Sequence, residues 1–173
     1  MIWDAAEAEL LVHDGAGWRA VFDPQNLPLL GVNTSADETN RLAVSSDATL
    51  LTHAGGGHQL KLNKAGAVDT ASLLFQSAWS GHAEMGLAGS NDFAIKVSGD
   101  GSAWHSALVA EAGSGRVSFP APPRLPSYTV AGLPAATGQA GALVFVSNEA
   151  GGAVVAFSDG TNWRRVTDRA VVG

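Results

Sequence analysis

Asp92-Phe93-Ala94-Ile95-Lys96-Val97-Ser98 runs directly into Gly99-Asp100-Gly101-Ser102-Ala103-Trp104-His105, and this stretch decides the fold. Apolar and polar residues alternate along it with period two, the spacing of a strand that turns one face to a core and the other to water. Asp100-Gly101 supplies the positive φ that a tight hairpin needs, and Trp104 opens the return strand, where its ring packs back across the partner. The same order occurs twice more. Leu10-Leu11-Val12 leads to Asp14-Gly15-Ala16-Gly17-Trp18-Arg19, and Val154-Val155-Ala156-Phe157 leads to Asp159-Gly160-Thr161-Asn162-Trp163-Arg164. Three unevenly spaced copies are recurrent hairpins rather than a solenoid. Asp14, Gly15, Trp18, Asp100, Gly101, Trp104, Asp159, Gly160 and Trp163 are therefore read as structural, with the three tryptophans in packing roles.

Working outward, the same period recurs in His58–Asn63 and Ala83–Leu87. Further short strand-like runs lie at Arg41–Ser45, Thr49–Thr52, Ala71–Gln76, Ser106–Glu111 and Arg116–Phe119. Gly, Asn, Asp and Ser separate these runs at intervals of roughly 8–12 residues, the pattern of an all-β chain. Ala5-Ala6-Glu7-Ala8-Glu9-Leu10-Leu11 has helix propensity, but its position before the first Asp-Gly-Trp unit reads as one half of a strand pair. Proline marks the divisions. Asp23-Pro24-Gln25-Asn26-Leu27-Pro28 is one break, and Pro120-Ala121-Pro122-Pro123-Arg124-Leu125-Pro126 is another. Such a run cannot continue a helix or occupy a central strand, and it favours stiff extended backbone. The expected organisation is an N-terminal hairpin segment at 1–27, a central β domain at 28–119, a spacer at 120–127 and a C-terminal β-meander at 128–173.

Composition narrows the function. Only 15% of the 173 residues are charged, against roughly 25% in an ordinary soluble domain, while 46% are hydrophobic. A surface so poor in charge is expected to be covered in part by further copies of the chain. Absence of cysteine excludes disulfides, thiolate nucleophiles and thiolate metal sites. Ten Lys and Arg against sixteen Asp and Glu argue against nucleic acid and anionic membranes as partners. No apolar run is long enough to span a bilayer, and Met1-Ile2-Trp3-Asp4 does not read as a secretory signal.

Catalytic patterns are missing. Asp37-Glu38 are adjacent, so on a strand they point to opposite faces and cannot flank one bond. His53 and His58 bracket Ala54-Gly55-Gly56-Gly57, a pair that reads as two strand ends joined by a turn rather than a metal site. No cofactor motif is present, and no catalytic residues are assigned. Trp79 stands apart from the other tryptophans, in Gln76-Ser77-Ala78-Trp79-Ser80-Gly81-His82, read as a loop of small residues between two strands. An aromatic ring in such a loop can stack on the C–H face of a sugar while neighbouring polar groups bond its hydroxyls. Trp79, Ser80 and His82 form the candidate glycan site, with Trp79 folded onto the sheet end or a subunit interface as the alternative.

Several stretches together carry a family likeness: Leu30-Gly31-Val32-Asn33-Thr34 through Val44, His58–Lys64, Ala71–Gln76, Gly81–Gly86, Ala142–Gly152 and Phe157–Val166. The chain resembles the fibre and spike proteins of tailed phages, in particular those of phage-like gene transfer agents, over most of residues 10–173. The resemblance implies a homotrimer whose strands pack about a three-fold axis. It also implies a place on the surface of a phage-like particle, where many weak sites engage polysaccharide of the recipient bacterium. Family members carry a longer N-terminal region for attachment, so the expectation here is either a fragment or a distal subunit that docks on a separate base protein. A purely structural connector and a glycan-cleaving spike are the competing expectations.

Overall fold

The computed structural model describes residues 1–4, 9–21 and 27–173. Among them the protein is all-β, as the alternation predicts, and the one helical element is a single 3-10 turn at Val130–Gly132. The chain forms two compact units, 1–60 and 61–173. The proline-rich run 120–127 therefore lies inside the second unit. Of the helix-prone stretch and the first proline break, residues 5–8 and 22–26 fall outside the described residues.

In the first unit, β1 (Ile2–Asp4), β2 (Glu9–His13) and β3 (Trp18–Ala20) form an antiparallel meander in chain order. β4 (Leu30–Val32) and β5 (Leu42–Val44) form a short parallel ladder. Asp37 organises the connection between them, its Oδ1 accepting from the backbone N–H groups of Thr39 and Asn40 at 2.8 and 2.6 Å. The strand-like run Thr49–Thr52 pairs with no strand among the described residues, and Leu50 and Leu51 stand exposed. His58–Asn63 likewise enters no ladder, with Leu60 and Leu62 exposed. A strand-like run becomes a strand only where a partner offers its backbone groups, and the described residues offer none at either place.

The second unit holds two sheets. β6 (Thr70–Ser77), β7 (Ser80–Ala88), β8 (Phe93–Ser98), β9 (Trp104–Ala110) and β10 (Val117–Ser118) form an antiparallel sheet in which each strand pairs with its neighbour in sequence. β11 (Ser127–Tyr128), β12 (Leu143–Val146), β13 (Val154–Ser158) and β14 (Trp163–Arg165) form the other. β12–β14 are the expected C-terminal meander, and β11 adds a parallel strand at its edge. The core of this unit lies on one face of the four-stranded sheet, where Val144, Val146, Ala156 and Trp163 pack with Ala136. The Trp163 indole N–H, which burial would otherwise leave unsatisfied, donates to the Pro134 carbonyl at 2.7 Å.

Candidate functional site

The three Asp-Gly-Trp turns share one geometry. Gly15, Gly101 and Gly160 have φ of 101, 78 and 91°, as the hairpin reading requires. In each turn the Asp Oδ1 accepts two backbone N–H groups: Ala16 and Gly17 for Asp14, Ser102 and Ala103 for Asp100, Thr161 and Asn162 for Asp159. The side chain closing the preceding strand (His13, Ser98 or Ser158) accepts the glycine N–H. Arg19 and Arg164, each following its tryptophan, pair with Asp14 and Asp159, while the middle copy has His105 at that position. The two backbone donors hold the carboxyls of Asp14 and Asp100 below their ordinary range, and the Asn162 N–H, with Arg164, takes Asp159 to about 2. Burial of the tryptophans differs. Trp163 is core, Trp104 is half-buried, and Trp18 is exposed with its ring edge-on to His13 at 5.3 Å.

The middle copy supports the candidate site. Its Trp104 lies over Gly81, so a Cβ there would sit 3.0 Å from the indole. A Cβ on Gly101 would sit 2.4 Å from the Ser80 hydroxyl, and that hydroxyl reaches the Asp100 carbonyl at 3.5 Å. The stretch read as an open loop is in fact a tight hairpin. β6 continues to Ser77, β7 begins at Ser80, and only Ala78 and Trp79 form the turn. Both have positive φ, 48 and 65°, the pattern of a type I′ turn, which ordinarily takes Asn-Gly. Gln76 donates from Nε2 to the Trp79 carbonyl at 3.4 Å.

Trp79 is 92% exposed and leaves the sheet at the tip, so within the chain it does not fold onto the sheet end. Ser80 and His82 belong to β7 rather than to the loop. Phe75 pairs with Ala83 while Gln76 pairs with Gly81, which makes His82 the extra residue of a β-bulge. A bulge re-aims the side chains next to it, and the His82 ring lies with Nδ1 3.1 Å from the Ser98 carbonyl. A carbonyl can only accept, so Nδ1 donates there, and in the neutral imidazole Nε2 is left as the acceptor. The lysines are elsewhere. Lys64 donates to the carbonyls of Ala67, Asp69 and Ser90, and Lys96 to that of Ala88, all toward the end of the β6–β7 hairpin opposite the tip.

Sequence reasoning singled out Trp79 but missed the bulge at His82 and the role of the Asp100 turn beneath Ser80. The tight turn at Ala78-Trp79 was within reach, because Ser77-Ala78-Trp79-Ser80 leaves room for a two-residue turn once both flanking runs are extended to their full alternation. His53, in the glycine-bracketed pair, turns its Nδ1 back to accept the Gly55 N–H at 2.9 Å. Among the described residues no three His, Asp or Glu side chains gather as a metal site. No helix among them is long and apolar enough to cross a membrane. Compared with models of known protein families, with curated proteins and with solved structures, the chain finds no match.

Proposed function

We propose that this chain is the subunit of a homotrimeric receptor-binding fibre or spike on a phage-like particle, which adheres to cell-surface polysaccharide without cleaving it. The observation that carries the reading is Trp79, a 92% exposed indole on a turn whose two residues both have positive φ. Left-handed backbone costs an ordinary residue roughly 1–2 kcal/mol, and strained positions concentrate where a ligand is held. An indole face presented in this way suits stacking on a sugar ring. The Ser80 hydroxyl and His82 Nε2 are the polar atoms on the same hairpin that would take sugar hydroxyls. Neutral sugars fit better than strongly acidic ones, because Lys64 and Lys96 are committed to carbonyls toward the other end of the hairpin. Three copies of the tip would bind a repeating polymer with avidity in place of single-site strength. The remaining partner in this reading is a base protein of the particle.

The test is attachment of purified Trp79→Ala protein to recipient cells, with circular dichroism and melting temperature as folding controls. Loss of one stacking aromatic removes about 1–3 kcal/mol per site, and over three sites attachment should fall below detection. A folded variant that attaches like wild type would shift the assignment to a structural connector. Shortening of polysaccharide chains during incubation with the wild-type protein would instead point to a cleaving spike.

A further inference from the structure

The ladder registers sort the side chains of the five-stranded sheet onto two unlike faces. Phe75 pairs with Ala83, Leu73 with Met85, and Met85 with Ile95. Ile95 in turn pairs with Leu108, Val97 with Ala83, and Phe93 with Ala110. Paired residues share a face, so one side of the sheet is a continuous apolar surface. Its one ionisable side chain among the strands is His105, opposite Val97. The other side is mixed: it carries Ser72, whose hydroxyl donates to Glu84 at 2.7 Å, with Lys96, Ser98 and Ser106, and among them Leu74, Ala94, Trp104 and Val109. Within a single chain the apolar side is uncovered: Leu73, Phe75, Phe93 and Val97 are 38–52% exposed. Within the second unit, strands β6–β10 make their substantial contacts only with ladder neighbours, so no other strand or helix of that unit forms a second layer on them.

Area shows how much surface the chain leaves to be covered. The chain exposes 12672 Å². A compact monomer of this mass exposes roughly 7,900 Å², and even two separate bodies the size of the two compact units would expose roughly 9,400 Å². The difference, about 3,200 Å², is shared by every part of the chain that packs against nothing, and the apolar face of β6–β10 is one of these parts. A stable protein–protein interface takes about 800 Å² from each partner, so a subunit touching two neighbours in a ring needs about 1,600 Å². The difference accommodates that twice over. We infer that the apolar face of β6–β10 is the self-association surface, buried against the same sheet of two further copies of the chain. This deepens the homotrimer of the proposed function by naming the face that builds it, while resting on pairing and area rather than on glycan binding. The opposite face, with Glu84 and Lys96, then lies outside this interface.

Two substitutions on exposed or half-buried positions test the inference without disturbing a packed core. Val97→Lys places a charge in the middle of the apolar face, and Ser106→Lys places one on the opposite face. Light scattering at micromolar concentration should give an assembled mass for wild type and Ser106→Lys, and a mass near 17.6 kDa for Val97→Lys. Because the chain has no cysteine, single thiols report accessibility cleanly. Ile95→Cys and Ser106→Cys are both half-buried in the single chain. In the assembled protein the first should react with a maleimide at least about tenfold more slowly than the second. Monomeric wild type, an assembled Val97→Lys protein, or equal labelling of the two thiols would overturn the inference. If Val97→Lys fails to fold, the labelling pair decides alone. A trimer that meets these tests yet binds no cells would sink the adhesive reading and leave this interface standing, and a monomer that binds cells through Trp79 would do the reverse.

Discussion

Ala78 and Trp79 carry a backbone cost that the hairpin itself does not demand. A two-residue turn joining Ser77 to Ser80 would close more easily on Asn-Gly, which enters the left-handed region without strain. The double variant Ala78→Asn/Trp79→Gly should raise stability by about 1–2 kcal/mol while abolishing attachment to cells. Higher stability with unchanged attachment would show the tip to be plain architecture. Asp159 makes a second prediction at this scale, about pH. Its carboxyl lies at about 2, chiefly through the Asn162 N–H, against an ordinary value of 3.8. A depressed carboxylate contributes stability that is fully present above its ordinary pKa and lost as pH falls toward its folded value. Melting temperature should therefore drop between pH 4 and pH 2. Asp159→Asn keeps an oxygen for the backbone donors but loses the pairing with Arg164, and it should flatten part of that drop. An unchanged pH profile in the variant would show that other carboxylates govern it.

Strands and turns were legible in the sequence to the extent that they are decided locally. Ala71–Gln76 became β6, Asp92–Ser98 became β8, and all three Asp-Gly-Trp units closed hairpins, because period-two alternation and positive-φ glycine act within a few residues. What depends on a partner was not legible. His58–Asn63 alternates as well as any strand here, and Thr49–Thr52 reads as strand-like, but neither finds a ladder among the described residues. The parallel pairings of β4 with β5 and β11 with β12 depend on how distant segments meet. The candidate site shows the same division: Trp79 was visible as an aromatic among small residues, while the bulge at His82 is a register shift that no single strand reveals. Gly86 lies at such a point of pairing. It has φ of 145° inside β7, and a Cβ there would lie 2.5 Å from the Ala71 carbonyl oxygen and 2.7 Å from the Ser72 Cα. Gly86→Ala must therefore push β6 away or strain β7, at a cost of about 2–4 kcal/mol read by chemical denaturation. An alanine tolerated at wild-type stability would mean that β6 is held more loosely than its ladder implies.

At the scale of the molecule, the one substantial core among the described residues lies beneath the C-terminal sheet. Among the described residues twenty-nine large apolar ones stand exposed, against six buried hydrophobic ones. Such a chain cannot draw most of its stability from its own interior, since burial of apolar surface is the main favourable contribution to folding. Its stability should then depend on how many chains are present. If folding and assembly into trimers are linked, a hundredfold rise in protein concentration stabilises each subunit by two-thirds of RT ln 100, about 1.8 kcal/mol. For a chain of this length that corresponds to roughly 4–7 °C in melting temperature. Scanning calorimetry at 1 and 100 μM should show this upward shift, and Val97→Lys should remove it, because a subunit that no longer associates melts at one temperature whatever its concentration. A wild-type melting temperature that does not move between the two concentrations, in a sample of monomeric mass, would mean that the exposed leucines and phenylalanines are not satisfied by copies of this chain.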